Sequence, residues 1–263
     1  MPEFKQFDQG PTDQEIQKER PALTVYVLRH GESEADKSKP NRGLTEHGQS
    51  QVRESMQAII NQLGAELPNI TFHLRDSGTE RTQQQVQLER EILLAAGVPA
   101  EHIILPKFGI AKRLKGVQGM DQNPEFRKKL KSEEYQQKVG AGGDMEAWAL
   151  SPDDELPEGI ESRAHMEARY KKDLAKVENL IHRGMVSPDQ RVVAIANSHS
   201  SIITLAAASE LGVPVDQLMK KLGEIGPERE VAGAQGLKYE FYAGGPHQAT
   251  PFGREIEQAA EEM

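Results

Sequence analysis

Three apolar stretches of the sequence are each followed, at or soon after their end, by residues that could do chemistry. These residues are Arg29 and His30, then Arg81, and finally His199. An arginine offers a rigid fork of N–H donors that matches phosphate oxygens. A neutral imidazole can attack phosphorus, whereas a protonated imidazole can hold an oxygen. Two arginines and two histidines around one point therefore predict a site for a tetrahedral dianion.

The apolar stretches themselves read as strands of one parallel sheet, at 23–28 (LTVYVL), 70–74 (ITFHL) and 191–196 (RVVAIA). The first is apolar on both of its alternating faces, as a central parallel strand would be. Because such strands end at the same edge of a sheet, we expect the four residues to gather there. Gly31 would let the backbone approach a ligand closely.

Helical patterns alternate with these strands. A helix is predicted at 45–63, opened by the cap-like Thr45, and others at 81–96 and 202–211, with further short strands at 102–105 and 237–242. This alternation predicts an α/β fold. We expect a three-layer αβα sandwich with a mostly parallel central sheet.

The chain divides into three parts on the same reading. Residues 1–21 are polar and predict a flexible lead-in, residues 22–245 form the catalytic domain, and residues 246–263 form a tail whose acidic end is expected to fray. Within the domain, residues 107–157 break the strand–helix rhythm. We interpret them as a helical insertion over the active site, with Trp148 in the insertion's own core.

Composition excludes several classes of protein. The chain of 263 residues has no cysteine, which excludes disulfides, thiolate zinc sites and cysteine nucleophiles. The absence of cysteine is compatible with a reducing cytoplasm, where we expect the protein. Its net charge of −9 argues against nucleic acid as a partner. No apolar run is long enough to span a bilayer, and the amino terminus lacks the apolar core of a secretory signal, so no membrane partner is expected.

Each candidate residue also has a structural explanation when taken alone. A single histidine such as His30 or His199 is more often structural than catalytic, and Arg81 by itself would be an ordinary surface residue of a helix. The tripeptide Arg-His-Gly recurs by accident. The combination is the stronger signal, because every member stands near a strand end and in a consistent order.

Several stretches in order resemble the histidine phosphatase superfamily, which contains the cofactor-dependent phosphoglycerate mutases and many phosphomonoesterases. The similarity extends from about residue 23 to residue 242 and is greatest to the phosphoglycerate mutase-like branch. The stretches that carry it are LRHGESE, GLTEHGQSQ, SGTERTQQ, LPEGIES, ANSHSSIITLAAASELGVP and GAQGLKYEFY.

The resemblance implies a two-step phosphoryl transfer that needs no metal and no other cofactor. His30 would attack the phosphoryl group and become phosphohistidine, while Arg29, Arg81 and His199 neutralise the equatorial oxygens. A carboxylic acid would protonate the leaving oxygen and then activate water. The implied substrate-binding residues are these four, together with Ser200, Asn41 and Arg42; for the last two, loop solvation is the alternative.

The carboxylic acid is where this chain departs from the family. The mutase-like branch carries a glutamate at a position where this chain has 111–113 (Ala-Lys-Arg). The other main branch places its acid beside the second histidine, where this chain has Ser200 and Ser201. Asp121, Asp144 and Glu146 are the remaining candidates. Glu158 and Glu161 read as acids at a helix entry, stabilised by the helix dipole.

Two further features bear on the substrate. Asp36 stands where the mutases carry an asparagine, and an acid there should repel a second anionic group. Basic residues of the insertion form either a solvated face or a rim that attracts a phosphorylated small molecule or a phosphoprotein: Lys107, Lys112, Arg113 and Lys115. Exposed sheet edges in such folds often pair, so a homodimer is also possible.

Three functions follow from these observations. The first is a metal-independent phosphomonoesterase that acts through phosphohistidine on an unidentified phosphorylated substrate. The second is a catalytically impaired phosphate-binding protein, suggested by the missing acid, with slow hydrolysis of phosphohistidine as an intermediate case. A phosphoglycerate mutase-like phosphotransferase ranks last because of Asp36.

Overall fold

The computed structural model describes residues 21–34, 42–105, 115–182, 191–226, 229–242 and 246–263. The lead-in predicted at 1–21 lies outside these ranges but for its last residue. Asp36 and Asn41 lie outside them as well, and so does the part of the insertion at 106–114.

A six-stranded sheet forms the centre of the molecule. Its strands are β1 (Leu23–Arg29), β2 (Thr71–Arg75), β3 (Ile103–Ile104), β4 (Val192–Ser198), β5 (Gly236–Phe241) and β6 (Gln248–Phe252), arranged in the order β3-β2-β4-β1-β5-β6. Strands β1 to β4 run parallel, and β5 and β6 are antiparallel to their neighbours. The sheet is thus mostly parallel, as the sequence predicts.

Helices cover both faces of the sheet, which confirms the three-layer architecture. In β1, Val25 and Val27 point into one hydrophobic core, whereas Tyr26 and Leu28 point into the other. The alternation follows from the two-residue period of a strand. Since both faces are buried, β1 is the central strand that its uninterrupted apolar run predicts.

Two helices precede and follow β2 on one face. They are α1 (Glu46–Leu63) and α2 (Glu80–Ala95). Thr45 caps α1, because its side chain accepts a hydrogen bond from the amide of Gly48. Thr79 and Thr82 form a reciprocal capping arrangement at the start of α2. The caps fix where each helix begins and therefore place Arg81 in the first turn of α2.

Three short helices make up the described part of the predicted insertion. They are α3 (Pro124–Leu130), α4 (Glu133–Val139) and α5 (Asp144–Leu150). Trp148 is 1% exposed and donates from Nε1 to the carbonyl of Glu161. Its ring lies in the same hydrophobic core as β1 and α8, the helix Val215–Ile225. The insertion is thus packed onto the domain instead of having a separate core.

The remaining helices lie on that same face. They are α6 (Arg163–His182), α7 (Ser200–Leu211), α8, which the sequence analysis did not predict, and α9 (Arg254–Glu261). Within the described residues, no single helix has the length and apolar character needed to cross a bilayer. The pair α7 and α8 meets those criteria only when the two are taken together, and it is bent by 110°.

The end of the chain differs from the frayed tail expected at 246–263. Strand β6 pairs with β5, and Ile256 and Ala259 of α9 are fully buried against the core. These two apolar residues are three positions apart, so they share a face of the helix, whereas Glu257 and Glu261 are exposed. The acidic composition masks this pattern, which packs α9 against the core.

Candidate active site

The ends of β1 and β4 and the start of α2 meet at one edge of the sheet. This brings His30, Arg81 and His199 together: the two imidazole rings lie edge to face with centroids 5.3 Å apart. Arg81 bridges them. Its Nε donates to Nε2 of His30 over 2.7 Å, and its terminal nitrogen lies 3.2 Å from Nδ1 of His199.

The contacts of His30 define which ring nitrogen carries the proton. Nδ1 lies 2.7 Å from the carbonyl oxygen of Gly31, which can only accept, so Nδ1 carries the hydrogen and donates it. Nε2 accepts from Arg81, so this nitrogen is unprotonated and its lone pair faces the cationic residues. This is the tautomer that a nucleophilic imidazole needs.

His199 has the opposite tautomer. Nδ1 faces the Arg81 guanidinium, which can only donate, so Nε2 carries the hydrogen and donates it to Oγ of Ser77 over 2.9 Å. Ser77 is fully buried at the end of β2. The ring of His199 is thereby held from behind, with its unprotonated nitrogen turned towards Arg81.

Both histidines are kept neutral by their surroundings. Burial lowers the pKa of His30 well below its usual value, and the neighbouring His199, Arg81 and Arg29 lower it further. Burial lowers the pKa of His199 to about 3, with Arg81, Arg29, Arg169 and Lys115 acting in the same direction. Every charged side chain named here as a cause is cationic, so the positive potential of the site opposes protonation and favours an anion.

Arg29 lies at the end of β1 and also belongs to this cationic group. One of its terminal nitrogens donates to the carbonyl of Val231 over 2.8 Å. Its positive charge is among the causes that lower the pKa of His30 and of His199. His30, Arg81 and His199 are thus in direct contact, and Arg29 precedes His30 at the end of β1.

Gly31 is required where the loop after β1 meets α1. A Cβ atom at Gly31 would clash with the carbonyl oxygen of Gly48, and one at Gly48 would clash with the backbone of Glu32. The close approach is thus between the loop and the first turn of α1, which Thr45 ties to Glu32 through hydrogen bonds. Gly31 was predicted to let the backbone approach a ligand; the close approach that the structure shows is between backbone segments.

A loop of the insertion covers His199. Arg169 of α6 donates to the carbonyl oxygens of Lys115 and Gly116, and it forms an ion pair of 2.7 Å with Glu161. Gly116 lies against His199, within van der Waals reach for an added Cβ atom. Glu161 was expected to stabilise a helix entry through the dipole. It instead accepts from Arg169 and from the amide of Gln118, and so holds the loop in place.

The structure describes only some of the residues predicted to line the rim of the site. Ser200 is the first residue of α7, directly after His199, and is partly exposed. Arg42 is also partly exposed and donates to the carbonyl of Glu34 over 3.4 Å. Asn41 lies outside the described residues. Lys115 is exposed and is the only described residue of the predicted basic cluster at 107–115.

The three candidates for the carboxylic acid in the insertion have different surroundings. Glu146 is buried and bound by Arg229 and by the amide of Gly142, so it serves the packing of α5. Asp144 stands in the first turn of the same helix. The side chain of Asp121 lies outside the described part of the chain.

Comparison with known proteins gives the fold a name. The sequence matches no protein-family model and no curated protein. The backbone, however, matches YhfR of Bacillus stearothermophilus with a TM-score of 0.55 and 17% identity, over 89% of this chain and 100% of that one. It also matches a phosphoglycerate mutase from Bacillus anthracis, with a TM-score of 0.53 and 15% identity, over 94% and 98% of the two chains.

The chain has the phosphoglycerate mutase-like fold. This is the fold that the sequence motifs predict. An α-ribazole phosphatase from Shigella flexneri is a further match, with a TM-score of 0.48 and 13% identity over 88% of this chain and 96% of that one.

Several site residues were not singled out from the sequence. Ser77 and Arg169 hold His199 and its covering loop, and neither has a signal that separates it from ordinary serines and arginines. A buried polar group beneath the loop after β1 was also missed: Gln85, Glu89 and Asn197, all with no exposed surface. Here a signal existed, because Gln85 and Glu89 are four residues apart on the apolar face of α2.

Proposed function

We propose that this protein is a phosphomonoesterase that transfers the phosphoryl group of its substrate to Nε2 of His30 and then to water. The observation that carries the proposal is the hydrogen bond from Arg81 Nε to Nε2 of His30. It places an unprotonated imidazole nitrogen beside a guanidinium and 5.3 Å, ring to ring, from a second histidine. The coarser support is the fold, which this chain shares with a phosphoglycerate mutase.

In the first step, the lone pair of His30 Nε2 forms an N–P bond while the ester P–O bond breaks. Arg81 releases Nε2 and turns its donors to the equatorial oxygens of the phosphoryl group, together with Arg29. The positive charge that develops on the ring is stabilised by the Nδ1–H bond to the carbonyl of Gly31. The leaving oxygen takes a proton from an acid or from water.

In the second step, water attacks phosphorus, the N–P bond breaks, and inorganic phosphate leaves. The amide groups in the first turn of α7 follow His199 directly and add a partial positive charge at the same edge. The cations do the work of charge neutralisation, so the proposed reaction needs no metal. The substrate would be a phosphorylated small molecule or a phosphoprotein. The exposed Lys115 would attract the negative charge of its phosphate group.

The second candidate is a phosphate-binding protein without turnover, with slow hydrolysis of a phosphohistidine as an intermediate case. The observation in its favour is that neither family position for the acid holds a carboxylate: residues 111–113 are Ala-Lys-Arg, and Ser200 and Ser201 follow His199. Without a group at one of these positions that acts first as acid and then as base, water would not be activated in the second step. A mutase reaction remains the third candidate, with the argument from Asp36 unchanged.

A rapid-mixing experiment with p-nitrophenyl phosphate separates these candidates. The phosphatase proposal predicts steady release of p-nitrophenol at pH 4 to 8, with and without EDTA, and none for His30→Ala. The intermediate case predicts one equivalent of p-nitrophenol per protein, with phosphohistidine persisting on His30, and the phosphate binder predicts no release and thermal stabilisation by phosphate. Measurable and equal rates for the wild type and His30→Ala would overturn each of these.

A further inference from the structure

Three buried side chains that are hydrogen-bonded to one another lie beneath the candidate active site. We call Gln85, Glu89 and Asn197 the buried triad. Gln85 and Glu89 are one turn apart on α2, and Asn197 is on β4, two residues before His199. All three have no exposed surface.

The hydrogen bonds of the triad suit a carboxylate at its centre. One oxygen of Glu89 accepts from Gln85 Nε2 over 3.0 Å and the other from Asn197 Nδ2 over 2.9 Å. Gln85 Nε2 also donates to Oδ1 of Asn197 over 2.7 Å. Both oxygens of Glu89 therefore act as acceptors. A proton on either oxygen would face an amide N–H and one of the two bonds would be lost.

The triad is joined to both halves of the site. Oε1 of Gln85 accepts from the amide of Gly31 over 3.0 Å, and the carbonyl of Gly31 in turn accepts from Nδ1 of His30. On the other side, Asn197 pairs with Leu28 in the sheet register, just before the point where His30 donates its amide to Ser198. Glu89, through Gln85 and Asn197, thus connects the loop that holds His30 to strand β4, which ends directly before His199.

We propose that Glu89 is a positioning residue which, as a carboxylate, holds the His30–Gly31 loop and the end of β4 in the geometry required for phosphoryl transfer. The inference rests on the proposed function, which gives that geometry its purpose. Glu89 touches neither histidine and acts through Gln85 and Asn197. Loss of the charge on Glu89 should therefore change the position of the His30–Gly31 loop, while every residue of the site remains present.

The surroundings of Glu89 bring its ionisation into the physiological range. Burial raises its pKa to about 7, and the hydrogen bonds from Gln85 and Asn197 oppose the rise. The groups that face it are these two amides, from α2 and β4, and no charged side chain is among the causes. The carboxylate fraction increases as pH rises through about 7, so turnover should rise with it. His30 and His199 cannot produce a limb there, because both their pKa values are lowered.

The first test compares Glu89→Gln with Glu91→Gln, the same change at an exposed position of the same helix. We expect the wild type and Glu91→Gln to lose turnover of p-nitrophenyl phosphate as pH falls through about 7. Glu89→Gln should lose at least tenfold in kcat, with little change in KM, and its rate should no longer depend on pH in this range. A wild-type pH profile in Glu89→Gln would overturn the proposal.

A second test does not depend on turnover. The backbone amide of Gly31 is followed by proton–nitrogen correlation spectroscopy from pH 5.5 to 8.5 in the wild type and in Glu91→Gln. We expect its resonance to shift with a midpoint near 7, and to stay constant in folded Glu89→Gln. An unchanging Gly31 resonance in the wild type overturns the proposal even if the variant fails to fold. If the resonance titrates but no phosphohistidine forms, the positioning role stands and the proposed function fails.

Discussion

Arg81 donates a hydrogen bond of 2.7 Å from Nε to Nε2 of His30. The guanidinium therefore occupies the nitrogen that is proposed to attack phosphorus. A phosphoryl group entering the site offers oxygens that are stronger acceptors than the imidazole, so it draws the guanidinium away and exposes the lone pair. The arginine both keeps the imidazole unprotonated and yields it when an anion arrives.

The first prediction concerns the geometry of this arginine. Arg81→Lys keeps the charge but loses the planar fork that reaches His30 and His199 at once. We expect kcat for p-nitrophenyl phosphate to fall by about 10²-fold, within the range for losing one donor to a developing oxyanion. Arg163→Lys, at an exposed position of α6, is the matched control and should keep the wild-type rate. Full activity in Arg81→Lys would contradict the role given to the fork.

The second prediction concerns stability in acid. His30 and His199 have lowered pKa values in the folded state, so below about pH 6.5 the unfolded chain binds protons that the folded chain does not. The contribution of the two neutral histidines to the free energy of unfolding is present above pH 6.5. It is lost as pH falls towards their pKa values in the folded state. With a folded pKa of about 3, His199 should account for roughly 2 kcal/mol of the loss between pH 7.5 and 5, and His30 should add to the loss in the same direction.

Urea denaturation at these two pH values measures the effect. His199→Gln should lose less stability than the wild type over the same interval, because it has one ionisable ring fewer. An identical loss in the two proteins would show that His199 does not titrate as its burial implies.

The third prediction has the opposite sign. The folded pKa of Glu89 is raised to about 7, so its contribution to stability is present at low pH and is lost as pH rises through 7. The free energy of unfolding of the wild type, measured relative to Glu89→Gln, should decrease by roughly 3 kcal/mol between pH 4.5 and 8. The histidine terms cancel in this difference. A constant difference would mean that Glu89 titrates normally.

The fourth prediction concerns the loop after β1. Gly31→Ala would place a Cβ atom against the carbonyl of Gly48, so the loop must move away from α1. We expect a loss of about 1–3 kcal/mol in unfolding free energy and a loss of activity. Gly143→Ala, where an added Cβ meets no atom within 4 Å, should cost under about 1 kcal/mol. Chemical denaturation and turnover assays check both.

The fifth prediction addresses the end of the chain. Ile256 lies on the buried face of α9. Ile256→Ala should therefore cost about 2–5 kcal/mol of stability through the lost contacts and the cavity. Glu261→Ala, at an exposed position of the same helix, should change stability by less than about 0.5 kcal/mol. Equal effects would support the frayed tail that composition suggests.

The sequence was most informative where the physical signal is local. The run at 23–28 predicts a central strand because both of its faces are apolar, and Thr45 marks the start of α1 through its side-chain oxygen. The gathering of His30, Arg81 and His199 was predictable as well, since parallel strands end at one edge. These are inferences from periodicity and topology, and they needed no contact information.

The supporting interactions could not be predicted in the same way. The bond from His199 to Ser77 spans 122 positions, and the bond from Arg169 to the carbonyl of Gly116 spans 53. Such contacts depend on how helices pack, which leaves no periodic trace. The frayed tail was predicted wrongly for a related reason: the acidic composition of α9 masks the three-residue spacing of Ile256 and Ala259.

The two borders of the sheet have a consequence for self-association. On one side, β3 pairs through only two residues. On the other, β6 carries Pro251, which has no N–H to offer a neighbouring chain. Among the residues that the structure describes, neither border presents the long row of free donors and acceptors through which one subunit could extend the sheet of another. If two copies of this protein associate, we expect them to meet through helical faces, leaving both sheets separate.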